Sequence, residues 1–290
     1  MLIREPVVAG QFYPGTSASC TREIEALLPR EPPEEGPERP VAGIVPHAGW
    51  VFSGATALRV LDAIRRRRTP RTFVLFGAVH SPIRASAVFS HGGWQTPLGL
   101  VEVDERLAGE VLARAGPLLQ DNPVAHENEH SLEVQLPFLR HLFPDARIVP
   151  IAVLPTAQAA EIGRLAAQAI QGLAADAVCL GSTDLTHYGP AYGFAPKGFG
   201  AAALRWVREE NDRRMLDLMR RLDAEAAVDE AREHLNACGA GAVAATLAAA
   251  RELGADKGYV LHYTTSADVL RDQMGRADPS AAVGYAGVVF

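Results

Sequence analysis

The sequence predicts an α/β protein in which a mostly parallel central sheet is covered by helices on both faces. Short apolar or β-branched runs alternate along the chain with segments of helical periodicity, which is the pattern of βαβ units. The runs are almost continuously hydrophobic, as strands buried on both faces are. A chain of 290 residues with 48% hydrophobic content can also bury a sizeable core. We therefore expect a single αβα domain over residues 1–290.

The predicted elements follow one another in a regular order. The predicted strands comprise residues 41–46, 72–78, 147–154, 177–181, 258–263 and 283–290. The predicted helices comprise residues 21–28, 55–67 and 158–173, a helix starting near residue 131, and one entered at residue 238 that runs through 247. Residues 86–90 and 100–103 flank a Gly/Trp/Pro turn, which predicts a hairpin added to the main sheet. The Pro/Glu-rich segment 29–40 predicts an exposed loop and not a domain boundary.

Charge, cysteine content and missing motifs exclude several classes of protein. The 28 Lys and Arg against 34 Asp and Glu give a net charge of −6, which argues against a general nucleic-acid binder. The 3 cysteines are far apart and form no C-x-x-C pair, so they provide neither a disulfide framework nor a four-thiolate zinc site. No glycine pattern of the Walker A or Rossmann type occurs, and no G-x-S-x-G follows a strand. NTPases, dinucleotide enzymes and α/β-hydrolases are therefore disfavoured.

The same features predict a location. Unpaired cysteines are typical of a reducing compartment, so we expect a cytoplasmic protein. The N-terminal stretch carries acidic and proline residues where a signal peptide needs an unbroken apolar run. The longest run of small apolar residues is too short to span a bilayer. The sequence thus predicts neither export nor membrane insertion.

Polar, potentially ligating side chains follow three of the predicted strands. His47, His80 and the pair Asp184 and His187 each come just after the carboxyl end of a strand. Open α/β sheets bind their ligands in the crevice at these ends. A single histidine after a strand can equally well satisfy backbone groups. Glycine or proline accompanies all three, and such turns let a backbone approach a ligand closely, so together they favour a shared site.

Cys238 lies in the sequence NACGAGA at the predicted entry to a helix. The unpaired N–H groups of a helix N-terminus stabilise a thiolate, which would make this cysteine a metal ligand or a nucleophile. A small buried residue in tight Gly/Ala packing explains the same pattern, and the residues alone favour that interpretation. Cys179, inside a strand, and Cys20, in a polar turn, are interpreted as structural.

The segment from His126 to His130 matches the zinc motif H-E-x-x-H. Its context is poor, because Asn-Pro lies just upstream and the helix is predicted to start only near Ser131. We therefore expect no metalloprotease site. Glu129, His130, Ser131 and Glu133 could instead form a polar cluster facing the crevice, although glutamate and serine are also ordinary helix-capping residues.

The ordered motifs resemble those of the Memo-like proteins, which in bacteria and archaea are labelled protein B of the AmmeMemoRadiSam system. The resemblance covers essentially the whole chain. It rests on Ala9-Gly10-x-Phe12-Tyr13-Pro14, Pro46-His47-Ala48-Gly49-Trp50, Gly77-x-x-His80, Glu129-His130-Ser131-x-Glu133-x-x-Leu136-Pro137, Ser182-x-Asp184-x-x-His187 and Cys238-Gly239. Two departures are that Ala78 and Val79 stand where Pro-Ser is common, and that Trp50 replaces a common tyrosine.

The resemblance implies a fold similar to that of the class III, LigB-type extradiol dioxygenases, which use non-haem Fe(II). It also implies a metal site made of His47, His80 and Cys238, with Asp184 and His187 lining the same pocket. The resemblance thereby changes the interpretation of Cys238 from a packing residue to the expected thiolate ligand. Two imidazoles and a thiolate suit iron or copper, and zinc is possible.

We therefore expect a metal-binding, non-haem dioxygenase-like redox protein whose substrate, a small molecule or a peptide, binds in the crevice. His187, oriented by Asp184, would act as a general base or proton shuttle. His130, held by Glu129, would be a second polar contact.

Two alternatives stay open. The crevice could be a catalytically silent binding or metal-handling module, and the system's name implies AMMECR1-like and radical SAM proteins as partners. A zinc hydrolase using the same crevice is the second alternative.

Overall fold

The computed structural model describes residues 1–275 and 280–290. The strands are β1 Ile3–Arg4, β2 Ala42–Val45, β3 Thr72–Gly77, β4 Ser86–Val88, β5 Gly93–Thr96, β6 Gly99–Glu102, β7 Leu119–Asp121, β8 Arg147–Ala152, β9 Ala177–Ser182, β10 His187–Tyr188, β11 Tyr259–Thr265 and β12 Ala282–Val289. The α-helices are α1 Ser17–Leu27, α2 Trp50–Arg65, α3 Glu105–Ala115, α4 Leu136–Leu142, α5 Ala159–Gly172, α6 Ala201–Trp206, α7 Asp212–Arg221, α8 Ala227–His234, α9 Ala240–Glu252 and α10 Ser266–Met274.

The main sheet has a parallel centre and mixed edges. Its strand order is β10-β12-β2-β9-β3-β8-β4-β7, with β11 paired to the outer side of β12. The four central strands β2, β9, β3 and β8 run parallel, and every residue of β2, β3 and β9 is buried. β12 joins β2, and β4 joins β8, in antiparallel fashion. The predicted α/β class with a central sheet between helices is confirmed, and its parallel part is the centre.

A hairpin is present, but the predicted one is wrong in its strands and in its position. Residues 93–96 of β5 pair with 99–102 of β6, and β1 adds to β5 in a separate three-stranded sheet. β4, expected to be one arm of the hairpin, lies in the main sheet between β8 and β7. The apolar pattern predicts that β4 is a strand but does not predict which strand it pairs with. Its partner β8 lies much later in the chain.

Helices cover both faces of the sheet. α2 packs on β2, β11 and β12, and it is joined by α1 and α4. α9 packs on β2, β3 and β9, and it is joined by α5 and α8. α5 and α9 approach closely, because Gly163 lies where a Cβ would be 1.9 Å from the carbonyl oxygen of Ala245. Alanine and glycine thus set the spacing of this layer.

The helix expected near residue 131 begins later than predicted. Glu133–Gln135 form a 3-10 turn, and α4 starts at Leu136 with Pro137 in its first turn. Residues 127–132, between the 3-10 turn Pro123–His126 and this one, therefore form irregular backbone, which can aim side chains in different directions. Separately, none of the helices within the described ranges has the length and apolar content that a membrane crossing requires.

Candidate metal centre

The site is built where the central parallel strands end. β2 ends two residues before His47, β3 ends three before His80, and β9 ends two before Asp184. Because the carboxyl ends of parallel strands meet at one edge of a sheet, these residues converge, as the sequence predicts. The irregular segment before α4 adds His130 to the same place.

Three imidazoles form the cluster that could hold a metal ion. One ring nitrogen from each of His47, His80 and His130 lies within 4.8 Å of the other two. The rings of His80 and His130 stack at 4.6 Å between centroids, and the ring of His47 stands nearly perpendicular to both. His47 is buried, His130 is half-buried and His80 is exposed, so the cluster opens to solvent on the His80 side.

A hydrogen-bond chain fixes the tautomer of His47. The Ser182 hydroxyl donates its only proton to the carbonyl oxygen of Ser131 at 2.7 Å. Its oxygen lies 2.9 Å from His47 Nδ1 and must therefore accept a hydrogen bond from it. His47 Nε2 is left with a free lone pair when the ring is neutral. Burial, reinforced by the neighbouring imidazoles, lowers the pKa of His47 well below its ordinary value, which favours this neutral form.

Glu129 holds His80 in the equivalent way. Its carboxylate accepts hydrogen bonds from His80 Nδ1 at 2.9 Å, from the His80 backbone N–H at 2.8 Å and from the Ser131 N–H at 2.8 Å. Burial opposes ionisation, but these donors outweigh it and lower the pKa of Glu129 to about 2. A carboxylate on Nδ1 directs Nε2 of a histidine toward a metal and raises its basicity.

Glu129 was expected to hold His130, but in the structure it orients His80. Glu129 Oε1 lies 3.9 Å from His130 Nδ1, which is too long for a hydrogen bond. Glu129 thus orients His80, and His130 is held by stacking on His80 and by an edge contact with Phe12 at 5.0 Å. The sequence predicted His130 as a polar contact, whereas the structure makes it the third imidazole.

Cys238 lies beside the imidazoles. Its Sγ is 3.1 Å from His47 Nε2 and accepts a hydrogen bond from the Asp184 N–H at 3.3 Å. Burial and the nearby Asp184 carboxyl raise the pKa of the thiol, so the expected stabilisation by the N-terminus of α9 does not lower it. α9 begins two residues later, after Gly239 as its N-cap residue. A bound cation deprotonates a coordinating thiol, so a raised pKa of the thiol itself is compatible with a thiolate ligand.

Asp184 and His187 do not form the pair that the sequence predicted. Asp184 Oδ1 accepts a hydrogen bond from the His47 N–H at 2.7 Å, and burial raises the pKa of this carboxyl to about 7. His187 Nδ1 instead donates to the carbonyl oxygen of Leu185 at 3.0 Å. Burial lowers the pKa of His187, so a neutral ring with a free Nε2 is favoured. Asp184 braces the backbone of His47, and His187 is oriented by the main chain.

A buried ion pair missed from the sequence supports the segment that carries Glu129 and His130. Arg4 forms a salt bridge with Glu133, and its other N–H groups donate to the carbonyl oxygens of His126 and Glu129. Glu133 also accepts hydrogen bonds from two backbone N–H groups of the N-terminal segment and from the Tyr13 hydroxyl. Glu133 thus points into the protein and not into the crevice.

The H-E-x-x-H interpretation is excluded by the direction of His126. This side chain is fully buried, and its Nε2 lies 3.2 Å from the carbonyl oxygen of Ala87. It packs against Phe89 and Trp94, away from the three-imidazole cluster. The two histidines of the motif therefore do not share a ligand, as expected.

Trp50 also lies outside the cluster. Its indole N–H donates to the carbonyl oxygen of Val134 at 3.0 Å, and its ring stacks on Phe138 with centroids 4.0 Å apart. This departure from the family pattern therefore changes core packing between α2 and α4. Ala78 is buried and Val79 half-buried directly before His80.

The His47 and Cys238 side chains have the spacing of two ligands of one transition-metal ion. With metal–nitrogen and metal–sulfur bonds of about 2.0 and 2.3 Å, a nitrogen and a sulfur ligand of one metal lie about 3.1 to 3.5 Å apart. The separation of 3.1 Å between His47 Nε2 and Cys238 Sγ meets this requirement. The fold and the site thus define an α/β protein with a candidate metal centre of three imidazoles at the carboxyl edge of its sheet, and the Cys238 thiol lies beside one of them, His47.

Comparisons with known proteins place the chain in a family. The model of the family described as "Memo-like protein" matches residues 4–289, and the chain belongs to this family. A MEMO1 family protein of Thermococcus onnurineus is 39% identical over 100% of this chain and 99% of its own length. Another from Methanothermobacter thermautotrophicus is 35% identical over 98% of this chain and 99% of its own.

A solved structure supports the fold. An uncharacterized protein, JW3007 from Escherichia coli, superposes with a TM-score of 0.56 at 13% identity, covering 87% of this chain and 100% of that one. At this identity the similarity concerns the architecture alone, which is an α/β fold with a central sheet between helices.

Proposed function

We propose that this protein binds one iron or copper ion between His47, His80 and His130, with the Cys238 thiolate as the fourth protein ligand. The observation that carries the proposal is the convergence of three imidazole nitrogens within 4.8 Å, beside a thiol 3.1 Å from one of them. Ser182 and Glu129 already hold Nδ1 of two of these rings, which leaves Nε2 of each for a metal.

The number of donors favours iron or copper over a hydrolytic zinc. A catalytic zinc keeps three protein ligands and one open position, so four protein donors would fill a tetrahedral site. Imidazole and thiolate donors would suit an iron or a copper ion held by these residues. Such an ion would supply one-electron and dioxygen chemistry. The proposal is therefore a redox centre resembling those of non-haem dioxygenases.

The chain's own residues would bind substrate and move protons around this centre. His187 has a free Nε2 and a depressed pKa, so near neutral pH it is available to accept a proton from a bound hydroxyl group. Asp184 holds the His47 backbone through its carboxylate and the Cys238 backbone through its carbonyl oxygen, which accepts the Cys238 N–H at 3.2 Å. It thereby fixes the distance between two of the ligands.

The test compares metal binding with turnover. Protein purified without oxygen is loaded with Fe(II) or Cu, and dioxygen uptake is followed with catechols or simple reductants. His80→Ala is the site variant, and His91→Ala, which removes an exposed histidine outside the cluster, is the matched control. We expect uptake by the wild type and by the control variant, and none by His80→Ala.

A metal-loaded protein without uptake would instead favour a catalytically silent binding or metal-handling module. Stoichiometric zinc with ester or amide hydrolysis would favour the hydrolase. Both outcomes would contradict the redox assignment. The partner proteins that the resemblance implies stay predictions, which co-purification from cells would test.

A further inference from the structure

A small cavity lies between the segment that follows His80 and the segment that precedes Glu129. It has a volume of about 330 Å³, at the lower end of the range for small-molecule pockets. The loop after His80 forms one wall, and the turn before Glu129 forms the other. Its polar lining residues are Ser81, Arg84, Gln120, Asn122 and Asn128.

The cavity is tied to the centre through the chain itself. Ser81 directly follows His80, and Asn128 directly precedes Glu129, whose carboxylate binds His80 at both its backbone and its ring. His80 is also the most exposed of the three imidazoles. The walls of the cavity are therefore continuous in the chain with the residues that hold the exposed imidazole.

The cavity is lined by one cation and by neutral polar groups. Arg84 is exposed and makes no hydrogen bond or ion pair within residues 1–275 and 280–290. The side-chain amides of Gln120, Asn122 and Asn128 likewise have no partner in these ranges. No carboxylate occurs among the described residues that line the cavity, whereas Ile83 and Val124 give it apolar walls. This lining suits a small, mainly apolar molecule that ends in one negative charge.

We propose that this cavity binds the carboxylate group of a small organic substrate whose other end reaches the metal centre, with Arg84 as the residue that selects for the carboxylate. The inference rests on the proposed function, because it places the reacting end of the substrate at His80. One guanidinium pairs with a carboxylate bidentately and balances its single negative charge. A phosphate dianion carries two negative charges, so one of them would stay without a cationic partner. The cavity's volume also favours a small molecule over a peptide.

The test uses matched hydroxamates, whose head group chelates metals. One series ends in a carboxylate, a second in the neutral carboxamide of equal length, and a third in a phosphonate. Their dissociation constants are measured calorimetrically on metal-loaded wild type, Arg84→Gln, and Arg39→Gln as a control for an exposed arginine in another loop. Because Arg84 is exposed, this charge pair should give the carboxylate about a twofold to fivefold advantage over the carboxamide.

We expect this advantage in the wild type and in Arg39→Gln, and its loss in Arg84→Gln. An equal preference in all three proteins, or tighter binding of the phosphonate than of the carboxylate, would overturn the inference. Failure of the metal site is recognised separately by titrating metal-free protein with glutarate and following the Arg84 Nε–H resonance by NMR. A saturable shift in a protein that binds no metal would retain the carboxylate site and reject the proposed function. Absence of both the shift and the preference would reject the carboxylate site.

Discussion

Replacing Glu129 by glutamine should weaken metal binding although no proposed ligand is removed. Glu129 Oε1 accepts from His80 Nδ1 and from the Ser131 N–H, and Oε2 accepts from the His80 backbone N–H. A carboxamide has only one oxygen. In one orientation its NH₂ group faces the backbone N–H of His80, and in the other it faces both His80 Nδ1 and the Ser131 N–H.

The size of the effect follows from these contacts. Glutamine loses one of the three hydrogen bonds in its better orientation and two in the other, and in both it loses the negative charge that increases the basicity of His80. Changes of this kind next to a metal-bound histidine weaken metal affinity by about 10- to 100-fold, or about 1.4 to 2.7 kcal/mol. Folding should be retained, because the glutamine is isosteric with the glutamate and keeps at least one of its contacts.

Competition against a fluorescent chelator measures this change directly. Glu127→Gln is the matched control, since Glu127 is exposed and lies two residues away on the same segment. We expect the metal dissociation constant to rise in Glu129→Gln and to stay at the wild-type value in Glu127→Gln. Equal dissociation constants for the two variants and the wild type would refute the argument that Glu129 positions a metal ligand.

Three further predictions concern stability. Gly163→Ala places a Cβ 1.9 Å from the Ala245 carbonyl oxygen and should lower the free energy of unfolding in urea by about 1 to 3 kcal/mol or more. Gly109→Ala, in α3 with open space around it, should raise the free energy of unfolding by about 0.5 to 1 kcal/mol. A Gly163→Ala variant more stable than Gly109→Ala would contradict the close packing of α5 on α9. Arg4→Met leaves a buried carboxylate unpaired and should cost about 3 to 5 kcal/mol in the same assay, whereas a wild-type value would show that the ion pair is dispensable. Burial raises the pKa of Asp212 from 3.8 to about 6, so the folded state binds this proton more tightly and stability is lost as the pH rises through this range. Asp212→Asn should therefore gain stability relative to the wild type between about pH 4 and pH 6, and a pH-independent difference in the urea midpoint would contradict the shift.

The sequence predicts best what depends on local pattern. The apolar runs that became β2, β3 and β9 are recognisable because strands buried on both faces are almost continuously hydrophobic. The rule that their carboxyl ends meet at one edge then brings His47, His80 and Asp184 together. The same rule does not predict the direction in which each side chain points. Asp184, which was expected to orient His187, therefore turned out to bind the backbone of His47.

Long-range pairing and irregular backbone explain the differences. Nothing in the sequence near Glu133 indicates that its partner is Arg4, 129 positions earlier in the chain. The H-E-x-x-H pattern suggests a shared helical face for His126 and His130. In the structure His126 ends a 3-10 turn and points inward, and the irregular backbone after it turns His130 toward the cluster. The hairpin was misplaced because β4 pairs with β8, a strand that comes about 60 residues later.

Metal stoichiometry tests the central claim most directly. Anaerobically purified protein is titrated with Fe(II) and with Cu, and bound metal per chain is determined for the wild type, His47→Ala, Cys238→Ser and the control His91→Ala, with folding followed by circular dichroism. We predict one metal per chain in the wild type and the control, with loss or strong weakening in the two site variants while their folding is retained. Stoichiometric metal in all four proteins, or none in the wild type, would contradict the assignment of this cluster as a metal centre.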